Sequence, residues 1–372
     1  MPELNPERQR RAQAYARLHR RAYFAGLVLA AALLVGFLLA DPARRIEASV
    51  GGGPYLPVAL YLVLLMAVYE VVLFPLSVYS GFVLPHRFDL STQTFGAWLR
   101  DVAKSGLLGL AFALVLVEVV YFLLVAFPLS WWLIAAGFML IFTVVLANLA
   151  PVLIVPLFYR LRPLEDDELA RRLADLAERA GARVRGVYTM DLSRRTKAAN
   201  AALMGIGNTR RIVLGDTLLD NYPADEIEVV LAHELGHHAH RDIAKGIAVE
   251  TTVLLASFWL ADLALRWGSA QLGLSGLADP SGLPLLALVM GGVSLLAMPV
   301  TNGFTRRMEA EADRYALELT GKAEAFGAAM TRLANQNLAE VDPPRWVELL
   351  LYDHPPIGKR LALARGYSGP KR

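Results

Sequence analysis

Apolar residues run through this chain in long unbroken blocks rather than in alternation. Four blocks, at 23–40, 56–74, 106–127 and 131–149, are each long enough to cross a hydrocarbon layer of about 30 Å. Two more, 243–265 with Asp262 near its end and roughly 283–300, follow a polar middle. The pattern predicts six transmembrane helices, since a backbone in lipid must satisfy its own polar groups. In the polar middle, Glu165, Asp166, Asp167 and Glu168 precede Leu169, Leu173 and Leu176, which reads as an amphipathic helix with an acidic first turn, closed by Gly181. Segments 184–190 and 211–214 favour strands, and Gly205-Ile206-Gly207-Asn208 between them reads as turn material, predicting a small hairpin or sheet. As a nucleotide loop the glycine pair lacks the spacing and the strand-to-helix setting.

Six spans put both termini on one side, and the basic residues indicate which. Arg8, Arg10, Arg11, Arg17, Arg20 and Arg21 precede the first span, Arg87, Arg100 and Lys104 lie between spans two and three, and Arg160 and Arg162 follow span four. The positive-inside bias makes these segments cytoplasmic, with Arg44, Arg45 and Arg266 as exceptions. The polar middle and the C-terminal tail are therefore expected in the cytoplasm. The first apolar block is longer than a signal-peptide core and leaves through Asp41, Pro42 and Arg44 without a small-residue cleavage pattern, so it reads as a retained anchor.

Composition agrees: 55% of residues are hydrophobic, and the mean hydropathy of +0.42 lies outside the range of ordinary soluble domains. The formal charge of +3 is too balanced to imply nucleic-acid binding. With no cysteine in the chain, disulfides and thiolate metal sites are excluded, and any metal must be held by His and carboxylates. Glu70 and Glu118 fall inside apolar spans, where a carboxyl faces protein or water; lining a polar cavity is favoured over a transport role.

The chemistry concentrates at Leu231-Ala232-His233-Glu234-Leu235-Gly236-His237, a His-Glu-x-x-His pattern following an apolar run that suits a helix. Residues four apart on a helix differ by ~40° in direction and ~6 Å along the axis, so His233 and His237 can aim at one ion. Glu234 projects beside them, where it can take a proton from an attacking water and return it to the leaving amine. His238 is about 140° around the helix from His233 and His240 is ~10 Å along it, so both read as interfacial polar residues. Thr305-Arg306-Arg307-Met308-Glu309-Ala310-Glu311-Ala312-Asp313 supplies a third ligand on a helix continuing from span six. Glu309 and Asp313 share a face; one carboxylate can close a two-His, one-carboxylate site while the other accepts the remaining N–H of a ligand histidine. Glu311 points elsewhere, to solvent or to an arginine. The ligand types favour zinc, although cobalt or manganese would also be accepted.

At these residues the chain resembles the type I CAAX prenyl proteases and their bacterial relatives among the HELGH membrane metallopeptidases. The resemblance covers most of the chain. It includes Phe74-Pro75-Leu76-Ser77-Val78-Tyr79 running to Phe88, Thr92-Gln93-Thr94, Ala150-Pro151 through Pro156-Leu157-Phe158, Arg162-Pro163-Leu164, Arg211-Ile212-Val213-Leu214 and Asp216-Thr217-Leu218-Leu219. It implies one Zn2+ per chain on His233, His237 and Glu309, with Glu234 activating water and Asp313 supporting a ligand. Asn200-Ala201 is similar to the family's edge strand, which holds an extended peptide by strand addition. His354-Pro355-Pro356 with Arg360 is similar to the family's C-terminal His-Pro motif, implying that His354 and Arg360 lie near the metal to bind substrate or steady the oxyanion. Read by itself, His354 before two prolines would pass for a surface residue.

The expected fold is a mainly α integral membrane protein, with residues 1–158 as a four-helix membrane domain and 159–372 as a cytoplasmic zinc-metallopeptidase domain. The latter would contain the small β-sheet, two further transmembrane helices at about 243–265 and 283–303, and a helical tail. The family's eukaryotic members have seven spans, so this chain lacks one near the N-terminus. The expected activity is endoproteolysis of a peptide or protein substrate, prenylated or not, at a bilayer, with no nucleic acid involved. The Arg-heavy, cysteine-free chain suggests a bacterial inner membrane, where clearing faulty membrane proteins, as HtpX-type proteases do, is the alternative task. The alternative of another class is a non-enzymatic membrane metal-binding or transport protein. A closed structural metal site, however, would have no use for Glu234 beside an open coordination position.

Overall fold

The computed structural model describes residues 2–50, 53, 55–205 and 210–369, so most of the turn expected at 205–208 lies outside the described residues. In the N-terminal half, helices α1 (Pro6–Ala40), α2 (Pro42–Val50), α3 (Tyr55–Val78), α4 (Leu84–Arg87), α5 (Phe95–Ala126), α6 (Trp131–Leu153) and α7 (Val155–Phe158) follow one another. A π-helical turn, Tyr79–Val83, joins α3 to α4 without a break. Among the described residues, four of the six candidate membrane helices lie here and two later, in α11 (Asp242–Gln271) and α12 (Leu283–Thr320). Their boundaries extend beyond the apolar blocks because capped polar turns carry the helices out of the lipid. The Asn5 side chain accepts the N–H groups of Glu7 and Arg8 at the start of α1, and Thr94 caps α5. Within the spans Asp262 is not a lone charge: it accepts the Trp131 indole N–H at 2.6 Å and pairs with Arg266 at 2.8 Å. Glu70 is exposed and Glu118 half-buried.

The polar part opens with β1 (Leu161–Pro163) and α8 (Asp167–Arg179), whose N-cap Asp166 accepts the N–H groups of Glu168 and Leu169. Strands β2 (Val187–Met190), β3 (Ala201–Met204) and β4 (Arg211–Gly215) complete a four-stranded sheet of order β1-β2-β4-β3. The two strands expected from sequence do pair, but in parallel, so they form a sheet and not a hairpin with each other. The antiparallel partner of β4 is β3, which leaves β3 at the sheet edge. After α9 (Asp216–Leu219) comes α10 (Ala224–Ala239), buried along most of its length. Helices α13 (Ala323–Gln336), α14 (Arg345–Leu351) and α15 (Ile357–Arg365) close the chain. One apolar core joins Leu173 and Leu176 of α8, Ile212 and Leu214 of β4, Leu231 and Leu235 of α10, and Phe326 of α13.

Two features place the site. Arg241, in the left-handed region at φ 56°, turns the chain sharply between α10 and α11, so α10 lies in the polar domain while α11 enters the apolar layer. The other is length. At 1.5 Å per residue, Glu309 sits roughly 39 Å along α12 from Leu283, past the end of a hydrocarbon layer of about 30 Å.

Candidate active site

Helices α10 and α12 cross at Gly236, where an added Cβ would lie 2.9 Å from the Cα of Ala312. No side chain fits there, and the close approach sets Glu309 and Asp313, which flank Ala312, against His233 and His237. His233, His237 and Glu309 each offer one ligand atom, all within 4.8 Å of one another. Nε2 of His233 lies 3.1 Å from one Glu309 oxygen, and Nε2 of His237 lies 3.4 Å from the other.

The opposite ring nitrogens fix the tautomers. Nδ1 of His233 faces Asp313 at 2.8 Å, and Nδ1 of His237 faces Asp242 at 2.9 Å. A carboxylate can only accept, so each Nδ1 carries the proton and each Nε2 of the neutral ring turns a lone pair toward the Glu309 carboxylate. Lone pairs facing lone pairs across 3.1–3.4 Å repel unless a metal ion or, in its absence, a second ring proton lies between them, and among the described residues Oε2 of Glu309 is buried without a hydrogen-bond partner. These residues therefore fit a metal ion. The proton senses the same arrangement: burial pulls His233 down, but the Asp313 and Glu309 carboxylates outweigh it and raise the imidazole to about 9.

Around this triad stand three more groups. Glu234, half-buried beside the two histidines, has its carboxyl pushed up by burial. His354, exposed in the loop between α14 and α15, brings Nε2 to 3.2 Å from Glu309 while Nδ1 meets Asp353 at 2.8 Å. Arg360 on α15 is buried and clasps Asp313 through Nε at 2.9 Å and Nη2 at 2.5 Å, with Nη2 also 3.4 Å from Nδ1 of His233. Asn200 is exposed just before edge strand β3, its carbonyl accepting the Gly215 N–H at 2.9 Å, and Ala201 opens the strand.

Sequence reasoning missed Asp242. It lies five residues after His237, across the left-handed turn at Arg241, so helical spacing could not connect the two; an acid opening the next helix was the available signal. Glu311 faces solvent, as one of its two expected placements had it, with Lys245 at 3.5 Å as its ion-pair partner in place of an arginine. His238 lies 3.3 Å from the Arg210 guanidinium, and His240 packs edge-on against Tyr315.

Residues 163–368 match the family described as "Peptidase family M48", and residues 1–160 match "CAAX prenyl protease N-terminal, five membrane helices". The chain belongs to peptidase family M48. It is an integral membrane metalloprotease whose family site uses a metal ion, and among the described residues its N-terminal part has four candidate spans where that description has five. The "Uncharacterized metalloprotease YhfN" of Bacillus subtilis is 30% identical over 96% of this chain and 85% of its own length. "CAAX prenyl protease 1" of Saccharomyces cerevisiae is 29% identical over 81% of this chain and 70% of its own. "Probable CAAX prenyl protease 1" of Schizosaccharomyces pombe is 28% identical, and the match spans only 61% of its length. In fold, the crystal structure of S. mikatae Ste24p superposes with a TM-score of 0.85 at 24% identity, covering 97% of this chain and 90% of that one.

Proposed function

We propose that the metal is zinc, held by His233, His237 and Glu309, and that the enzyme cuts prenylated CAAX-type peptides at the cytoplasmic face of a bacterial inner membrane. The observation that carries the metal reading is the pair of Nε2 lone pairs converging on the Glu309 carboxylate, each ring locked by a carboxylate behind it. Two imidazoles and one carboxylate suit zinc and leave a position open for water or substrate. Bound there, zinc would supply a Lewis acid that polarises the scissile carbonyl and acidifies a water.

The protein's own groups do the rest. Glu234, its proton affinity raised by burial, accepts the proton of the attacking water and returns it to the leaving amine. His354, exposed and close to Glu309, is placed to donate to the oxyanion. Arg360 serves better as a positioning residue, because its guanidinium is spent on Asp313, which holds His233 in turn. An extended substrate adds to the free edge of β3, steadied by Asn200 and the backbone of Ala201. The prenyl requirement is supported by the names of the fungal relatives, and the bacterial cytoplasmic placement by the arginine distribution and the Bacillus relative.

The test is cleavage of a farnesylated CAAX peptide beside an unprenylated control by purified protein in detergent, with Glu234→Gln in parallel. Cleavage of the prenylated peptide alone, lost in the variant while the metal is retained, supports the whole reading. Equal cleavage of both peptides would sink the lipid requirement and move the enzyme toward general membrane proteolysis. Full activity in Glu234→Gln would overturn the assignment of the base.

A further inference from the structure

A second built site lies where the membrane helices meet the sheet domain, away from the metal ligands. A cavity of about 270 Å³ is lined there by Arg100, Lys104, Arg160, Arg194 and Arg195 and by a single carboxylate, Asp101. Asp101 is taken by Arg195 at 2.9 Å, and Arg194 turns to Asp191 at 2.8 Å. Among the described residues, Arg100, Lys104 and Arg160 form no ion pair, although Arg100 and Lys104 stand one turn apart on α5, where like charges repel. Arg195 is only partly satisfied: among the described residues its buried Nη1 has no acceptor, although Nε donates to Asp101 and the planar guanidinium stacks over the Tyr159 ring at 4.6 Å. A gathered set of cations with an orphaned guanidinium N–H is short of an anion with several acceptor oxygens.

The rim says where that anion comes from. Leu157 lines the cavity, and Leu149, Val152 and Leu153 continue from it along α6 with 44–58% of their surface exposed. Lys104 donates to the Leu157 carbonyl at 3.0 Å, which sets its ammonium at the boundary between this apolar strip and the polar cavity. We infer that the cavity binds the phosphate of an anionic phospholipid, whose acyl chains lie along the exposed face of α6. The shared chemistry is a phosphate, and the strip of exposed aliphatic side chains favours one attached to lipid over one free in solution. The site carries a consequence for proteolysis. Arg194 and Arg195 belong to the segment running from β2 to Asn200, so an occupied cavity would anchor the chain leading into edge strand β3.

The experiment is native mass spectrometry of the full chain released from detergent containing equal phosphatidylglycerol and phosphatidylcholine, with inorganic phosphate titrated separately. Phosphatidylglycerol should be retained preferentially. Each of Arg100→Gln, Lys104→Gln and Arg160→Gln should cut that preference about fivefold, and the triple variant about a hundredfold. Arg44→Gln with Arg45→Gln, at the far ends of the helices, should leave it unchanged. Retained secondary structure and monodispersity of the variants guard against misfolding, and Lys104→Arg, which keeps the charge, should bind as the parent does. Equal retention of both lipids, or a preference untouched in the folded triple variant, overturns the inference. Inorganic phosphate binding as tightly as the lipid would show a soluble-phosphate site and overturn the lipid assignment.

Discussion

At the scale of single residues the site is a set of protons and lone pairs held in fixed positions. Asp313 and Asp242 each hold an Nδ1–H, so Asp313→Asn and Asp242→Asn should keep the ligand atoms but loosen their orientation and basicity. A weakening of metal affinity by about 10–100-fold is expected for each, read by competition with a chelator; unchanged affinity would remove the carboxylates from the metal's support. Arg360→Lys, which cannot reproduce the two-point grip on Asp313, should move in the same direction. The pH dependence has a definite sign. His233 without metal keeps its proton up to about pH 9, so below that value each ion that binds must expel it, and apparent affinity should fall about tenfold per pH unit on acidification. His237 is raised as well, which steepens the fall; a flat profile from pH 6 to 9 would contradict it. His233, Glu234 and His237 were legible in the sequence because one helix sets their spacing. His354 was legible only by resemblance, since a loop carries it to Glu309 and no periodicity encodes that path.

Among the elements, the crossing of α10 over α12 decides whether the ligands meet. Gly236 is the point of contact, and a methyl group there would press on backbone rather than on a side-chain tip that could swing away. Gly236→Ala should therefore push the helices apart, costing about 1–3 kcal/mol of stability and lowering metal retention together with the thermal midpoint. An alanine variant with full metal content and unchanged melting would show that the helices relax without cost. The long helices could be read from unbroken apolar runs, because lipid forces the backbone to pair within each segment. Strand order could not. Strands β2 and β4 carry the same β-favouring residues whether paired in parallel or as a hairpin, and what settles the arrangement is that β3, which lies between them in sequence, folds to the outer side of β4. The basic residues at 100, 104 and 160 were readable as a topology signal, but their convergence on one cavity depends on how α5, α7 and the sheet domain pack.

Across the whole molecule, the N-terminal half meets the strand proposed to hold substrate at two places: Leu90 and Thr92 bond to the segment from Ser193 to Lys197 that leads into it, and the start of α1 reaches it through the turn after α13. Residues before and within α1 grip the last turn of α13 and the turn after it: the Asn335 side chain is bonded to the Asn5 N–H at 3.1 Å and the Glu3 carbonyl at 2.9 Å, and Arg20 pairs with Glu340 at 2.8 Å. From the same turn, Asn337 accepts the Ala199 N–H at 2.9 Å and donates to the Ala199 carbonyl at 3.1 Å, immediately before the strand proposed to hold substrate. Toward the metal, the Val341 carbonyl accepts the Gly358 N–H at 3.1 Å, which ties the turn to the chain between His354 and Arg360. One segment thus sets the edge strand and the His354 loop relative to each other, with the first membrane helix as its anchor. Asn337→Ala removes both bonds to Ala199 without touching a metal ligand or Glu234, and two hydrogen bonds of about 1 kcal/mol each, partly replaced by water, make the expected effect on peptide binding about tenfold. KM for a cleaved peptide should rise by that factor while kcat and metal content stay at the parent's values. A fall in kcat or a loss of metal instead would mean that the turn supports the fold of the catalytic domain as a whole, and that β3 is not positioned through Asn337.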